Sequence, residues 1–311
     1  MIQLKSRWLA AIVAVMISVA ALAVHAEGEM KPFVLASTST GGSVADHIDS
    51  VRNALTGEGF EIAGEYSPYP AAHIIIFTND KLKQAGASHE RAGYIAAQRA
   101  TITQVGDQIQ IAYTNPVYMA AAYRIETDVS SVSESLASAL GAEKEYGPEK
   151  GLTAKQLGKY HYTFGMEYFD EPNELASYNS FKQAVAEVEK NLAAHNGGTT
   201  KVYRIDIPGS KQAVFGVSMK AEGETGNKYM DESFIMGEID FKPIRSTGHL
   251  PYEILVTGSE VEALHARFRI AVNFPDLSMM GANSFMNIMP SPDAIKESLT
   301  LGAGGELEDD F

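Results

Sequence analysis

Val44, Ile48, Val51 and Leu55 recur at steps of four, three and four residues, which places them on one face of a helix. Ser43 stands just before this stripe and Asp46 three positions later, a spacing that lets both side chains satisfy free amides at a helix start. Gly57 and Gly59 end the segment. A second stripe, Phe181, Val185, Val188 and Leu192, opens at Ser180 and stops at Gly197-Gly198. After each helix the apolar period shortens to two. Tyr203, Ile205 and Ile207 alternate with polar residues, Pro208-Gly209 turns the chain, and Phe215, Val217 and Met219 alternate again, the pattern of a hairpin. Glu61–Glu65 and Ala72–Phe77 hold the corresponding places in the first half.

A further hairpin is expected in each half, turning at Gly106-Asp107 and at Gly258-Ser259. Ile109, Ile111 and Tyr113 then correspond to Phe268, Ile270 and Val272. Short echoes support the pairing: Ile111-Ala112 with Pro116 recurs as Ile270-Ala271 with Pro275, and Glu-Ser-Leu occurs at 134–136 and 297–299. The helix starts are 137 residues apart and the Ile-Ala echoes 159, so the second copy is expected to carry about 22 extra residues. A closing helix follows in both, with Val132, Leu136 and Leu140 as one stripe and Ser291-Pro292-Asp293 as the other start, Ser291 capping and Pro292 at the first helical position.

One amphipathic helix beside antiparallel hairpins, given twice, predicts an α+β protein of two related domains, each an antiparallel sheet with amphipathic helices on one face. The expected division is 27–145 and 178–302 for the domains, 146–177 for a linker with an aromatic exit, and 303–311 for an acidic tail.

The succession of the helix over Val44–Phe60, the apolar strand ending at Asn79-Asp80, and the hairpin closing on Tyr113-Thr-Asn-Pro116 resembles the DUF302 family, domains of unknown function numbered 302. The resemblance covers about residues 33–140, and more faintly 178–300, where Leu250-Pro251-Tyr252-Glu253 and Asn273-Phe274-Pro275 fall in comparable places. It implies compact, exported bacterial α+β domains and brings no catalytic motif.

The start of the chain reads as a signal for export. Lys5 and Arg7 precede an apolar run from Trp8 to Val24, and Val24-His25-Ala26 offers a cleavage site, so residues 1–26 are expected to be a signal peptide and the protein periplasmic or secreted. The run is just long enough that an uncleaved anchor is the alternative; after cleavage no membrane span is expected. Cleavage leaves 39 acidic against 23 basic residues, a balance that disfavours nucleic acid as a partner. Cysteine is absent, which removes disulfides, thiolate nucleophiles and cysteine-held metals.

Chemistry is sparse. No Gly-x-Ser-x-Gly, His-Glu-x-x-His, Walker loop or Gly-x-Gly-x-x-Gly occurs, and nothing in the chain requires a cofactor. Gly41-Gly42-Ser43 could offer amides to an anion, but capping explains these residues equally well. His249 and His265 flank the second hairpin and could form a site if they converge. Tyr160, Tyr162 and Tyr168 make the linker's exit aromatic, suited to a ligand groove. Met279, Met280, Met286 and Met289 crowd one short segment, which suits adaptable apolar packing or, alternatively, thioether ligation of Cu(I). The leading reading is non-enzymatic binding of a small molecule or protein partner in the cell envelope. The alternatives are a hydrolase built from scattered His, Asp and Glu residues, and periplasmic Cu(I) binding by the methionines.

Overall fold

The computed structural model describes residues 28–307, except 222, 224 and 225; the expected signal peptide, 1–26, and the end of the acidic tail lie outside the described residues. In chain order the first half comprises β1 (Phe33–Thr40), α1 (Val44–Gly57), β2 (Glu61–Tyr66), β3 (Ala72–Thr78), α2 (Asp80–Gly86), β4 (Gln98–Val105), β5 (Gln108–Thr114), α3 (Pro116–Ala122), α4 (Ser130–Leu140) and β6 (Lys144–Tyr146). After α5 (Ala154–Leu157) come β7 (Asn173–Ser177), α6 (Phe181–Ala193), β8 (Thr199–Ile207), β9 (Gln212–Met219), α7 (Glu232–Ile239), β10 (Tyr252–Thr257), β11 (Glu260–Ala263), α8 (Ala266–Asn273) and α9 (Ser291–Ala303). The chain is α+β, with two antiparallel sheets ordered β2-β3-β4-β5-β1-β6 and β8-β9-β10-β11-β7. Apart from the added edge strand β6, the two halves have the same strand order.

The helices form where the apolar stripes predicted them. Val51 and Leu55 of α1 are buried, and the Ser43 amide donates to Asp46 Oδ2 at 2.8 Å. In α6, Val185, Val188 and Leu192 are buried, and Ser180 accepts from the Gln183 amide at 3.2 Å. At the start of α9, however, Ser291 is the first helical residue and makes no capping bond. Helices α1 and α6 each pack on one face of their own sheet.

The other face of each sheet is covered by the opposite half. A 3-10 turn over Ala92–Ala96, just before β4, packs on β8, β9 and β10, while a 3-10 turn over Thr247–His249, just before β10, packs on β3, β4 and β5. The exchange is bonded as well as packed, by Gly93 N to Gln212 Oε1 at 3.2 Å and by Thr103 Oγ1 with Thr247 Oγ1 at 2.8 Å. Strands β2 and β8, which hold the same place in the two sheets, meet at their bulges. A Cβ on Gly64 would stand 2.3 Å from the Val202 carbonyl oxygen, so only glycine permits this approach. One hydrophobic core therefore runs unbroken from half to half.

The second half departs from the expected alignment in one segment. Phe268, Ile270 and Val272 lie on helix α8, not on a strand, so the Ile-Ala echo pairs a strand residue with a helical one. The structural counterparts are Asn115 and His265, which cap α3 and α8 and stand 150 residues apart. Compared with the 137 between the helix starts, the second half is longer by about 13 residues over this stretch rather than 22. The joining stretch is structured: β6 extends the first sheet alongside β1, Met30 pairs with Leu152, and Tyr146 is buried with its hydroxyl donating to Arg245 O at 2.7 Å.

Candidate functional site

A buried charge network lies where the two sheets meet. Glu253 on β10 receives Arg99 Nη2 of β4 at 2.6 Å, Arg269 Nη1 of α8 at 2.8 Å and the Tyr203 hydroxyl of β8 at 2.5 Å. Arg269 also donates to the carbonyls of His249 at 2.6 Å and Pro251 at 3.1 Å. Enclosed charges persist only when paired and hydrogen-bonded, and this carboxylate is paired with two guanidiniums and accepts from Arg269 and Tyr203. Glu232, at the first turn of α7, is buried without a cation bonded to it. Burial raises its carboxyl well above the usual range, and the Tyr66 hydroxyl donates to it at 3.1 Å.

Beside this network, a groove of about 370 Å³ opens between the halves. Tyr69, Thr103 and Gln104 line it from the first half, and Ser233, Asp240, Phe241 and Arg245 from the second. Asp240 caps the C-terminal end of α7, where the helix dipole disfavours negative charge. Its Oδ1 accepts the Ser246 amide at 2.9 Å, while its Oδ2 is buried and has no hydrogen-bond partner. Burial pushes the carboxyl up to about 7, against the opposing pull of the Ser246 amide, Arg245 and Lys242. Arg245 Nη1 is held on the Asp240 carbonyl. The Tyr69 hydroxyl meets Thr247 Oγ1 at 3.2 Å, and burial, reinforced by Asp240, keeps this phenol protonated. The groove thus offers a carboxyl poised near neutrality, a guanidinium, several hydroxyls and the apolar Met236 and Phe241. It contains a single acid and no histidine.

A separate, narrow apolar cleft, with a cavity volume of only about 20 Å³, is bounded by Tyr162, Met166, Phe274, Leu277, Met279 and Phe285, with Arg267 at its side. Here two of the residues singled out in the sequence come together, Tyr162 and Met279. Two of the three linker tyrosines are anchored through their hydroxyls: Tyr162 donates to Leu277 O at 3.0 Å and Tyr160 to Ala271 O at 3.2 Å. Tyr168 instead packs its ring against His161, with centroids 4.3 Å apart. Met279, Met280, Met286 and Met289 are all exposed on the loop between α8 and α9, so the adaptable apolar packing expected for them does not fill the core and instead forms apolar surface.

The two histidines do not converge. His265 caps the start of α8, accepting from the Arg267 amide at 3.2 Å, with Nε2 at 3.3 Å from Glu167. His249 is bonded to Asn273 at the other end of the same helix, about 12 Å along the axis. It is fully enclosed. Burial, with Arg269 and Arg99 nearby, depresses its pKa well below the usual value, so the ring is neutral. Asn273 Nδ2 donates to Nδ1 at 3.1 Å, which leaves Nε2 to carry the proton toward the Tyr252 hydroxyl at 3.0 Å. At Gly41-Gly42-Ser43 the amide an anion would seek is occupied by the chain's own Asp46.

The sequence did not point to Asp240, Tyr69, Arg99, Glu253 or Arg269. For Arg99 and Glu253 a signal existed, since each is a lone charge in an otherwise buried strand. For Asp240 there was none, because its surroundings come from four separate segments. Among the described residues no group of three or more His, Asp or Glu side chains could hold a metal ion, and no helix is long and apolar enough to cross a membrane. No family model, curated protein or solved structure matches the chain.

Proposed function

We propose that this is a non-enzymatic binding protein of the cell envelope, exported by residues 1–26 and built from two DUF302-like halves, and that it holds a small polar ligand in the groove between them. The observation that carries the reading is Asp240, which stands in the wall of a space bounded by both halves, next to Arg245, with its enclosed Oδ2 left without a partner from the protein. Buried polar atoms are nearly always bonded, and an exception at a concave site suits a ligand's donor. Arg245 suits an acceptor or anionic group on the same molecule. The apolar walls at Met236 and Phe241 would cover its carbon skeleton. Against the hydrolase alternative, the groove lacks a second acid or a histidine within reach of Asp240.

Gly237 provides the test. It lines the groove on an exposed position of α7, and a Cβ there meets nothing within 4 Å, so Gly237→Trp directs bulk into the groove from its solvent side. Native mass spectrometry of protein purified from its own host should show a small-molecule adduct on the wild type that Gly237→Trp lacks. An adduct that persists unchanged in the variant rules the groove out.

Cu(I) binding is the second reading. It is favoured by the hydrogen bond from Met286 N to Met279 O at 3.2 Å, which sets these two residues alongside each other. Cu(I) titration of the wild type and of a Met279/Met280/Met286 triple leucine variant decides it, since equal binding by both removes the idea.

A further inference from the structure

Seven large hydrophobic side chains are exposed among the described residues, and four of them are methionines of a single loop. Met279, Met280, Met286 and Met289 show 38, 71, 49 and 55 % of their surface, whereas Met119, Met219, Met230 and Met236 show 4 % or less. The loop is firmly built. Phe285 N donates to Ser278 O at 2.8 Å, the enclosed Ser284 donates to Gly281 O at 2.8 Å, Asn287 Nδ2 reaches Glu238 Oε2 at 2.8 Å, and Ile288 is sunk in the core. The methionines are therefore held outward by a framework that does not depend on them. In a chain without cysteine, thioethers are the only sulfur groups an oxidant can meet.

We propose that the 279–289 loop is a methionine oxidation site, at which hydrogen peroxide or a similar two-electron oxidant switches the adjoining cleft from apolar to polar. In each step a sulfur lone pair attacks one peroxide oxygen and the O–O bond breaks. An S–O bond forms, and the departing hydroxide takes up the remaining proton as water. Sulfur loses two electrons and the peroxide gains them. The product is methionine sulfoxide, a polar, chiral group where a flexible apolar one stood. Met279 carries the consequence, because it shares the cleft wall with Tyr162, Phe274, Leu277 and Phe285. The Tyr162 hydroxyl is already given to Leu277 O and Arg267 Nη1 to Glu167, so a sulfoxide dipole at Met279 must compete for Arg267 or draw water to the cleft. Loop geometry survives, since every hydrogen bond named above is made by backbone or by residues other than methionine. The proposal stands apart from ligand binding in the groove and needs no property of Asp240.

The test treats the purified full chain with graded hydrogen peroxide and reads two signals. Peptide mapping should show Met280, Met286 and Met289 gaining one oxygen at least about tenfold faster than the four enclosed methionines. Fluorescence of the apolar probe 1-anilinonaphthalene-8-sulfonate, bound on the exposed methionine face beside the cleft, should fall as the loop is oxidised. A variant with leucine at all four loop positions, which are exposed and should leave the fold intact, should keep its probe signal through the same treatment. Three results would each overturn the proposal: oxidation of loop and enclosed methionines at similar rates, no probe binding before oxidation, or equal loss of probe binding in the leucine variant.

Discussion

Arg99 and Glu253 join the two sheets through an ion pair of 2.6 Å, with side chains that are 3 % and 0 % exposed. They come from β4 and β10, strands that hold the same position in the two sheets, so the pair crosses the seam at its centre. Arg269 binds the same carboxylate, so two cations depend on one acid.

Glu253→Gln should therefore be among the most damaging single changes, because it leaves two guanidiniums enclosed and uncompensated. A loss of about 3–5 kcal/mol is expected from urea denaturation. Tyr203→Phe removes one bond to the same carboxylate and should cost roughly 1.5–3 kcal/mol. A Glu253→Gln loss below that of Tyr203→Phe would mean the network is not what ties the halves together.

Asp240 should make stability fall as pH rises. Its carboxyl moves from an ordinary value of 3.8 in the unfolded chain to about 7 in the folded one, so its favourable contribution is complete below the first value and lost on passing the second. The full displacement corresponds to on the order of 4 kcal/mol. Asp240→Asn should accordingly gain stability relative to the wild type between about pH 4 and pH 7, then stay level. Denaturation midpoints of both proteins across this range check it, and parallel curves would show that Asp240 does not titrate there.

Two glycines should respond in opposite directions. Gly64→Ala places a methyl into the Val202 carbonyl and should cost about 1–3 kcal/mol by overpacking. Gly237→Ala lies mid-helix with open space around it and should stabilise by up to about 1 kcal/mol. Thermal melts of the two variants distinguish the seam from the groove wall.

Export should be visible in fluorescence, because Trp8 is the chain's only tryptophan. Protein recovered from the envelope fraction should emit as tyrosine alone. Tryptophan emission from that material is incompatible with cleavage after Ala26.

Much of the first half was legible because α1 has one wet and one dry side and the turns carry their own residue types. The α1 stripe, the Ser43 cap and the Gly106-Asp107 hairpin are local arrangements that the spacing of residues reports. Helix α8 was misread for the opposite reason. Seven of its eight residues are buried, Arg269 among them, so no polar face marks the helical period and the alternation of Phe268, Ile270 and Val272 resembles a strand. Arg269 is inside because Glu253 is there to receive it, a fact that lies 16 residues away in the chain.

The same division applies to the candidate sites. Tyr162 and Met279 were noticed as residue types, but only folding brings them to one cleft, and it separates His249 from His265 by the length of a helix. By itself the sequence determined the stripes, caps and turns, and hence the α+β class, since these depend on neighbours within a few residues. The tertiary structure alone decided the exchange of turns between the halves, the pairing of Arg99 with Glu253 and the near-neutral carboxyl of Asp240. Those features depend on desolvation and on contacts between distant segments, and no local pattern encodes either.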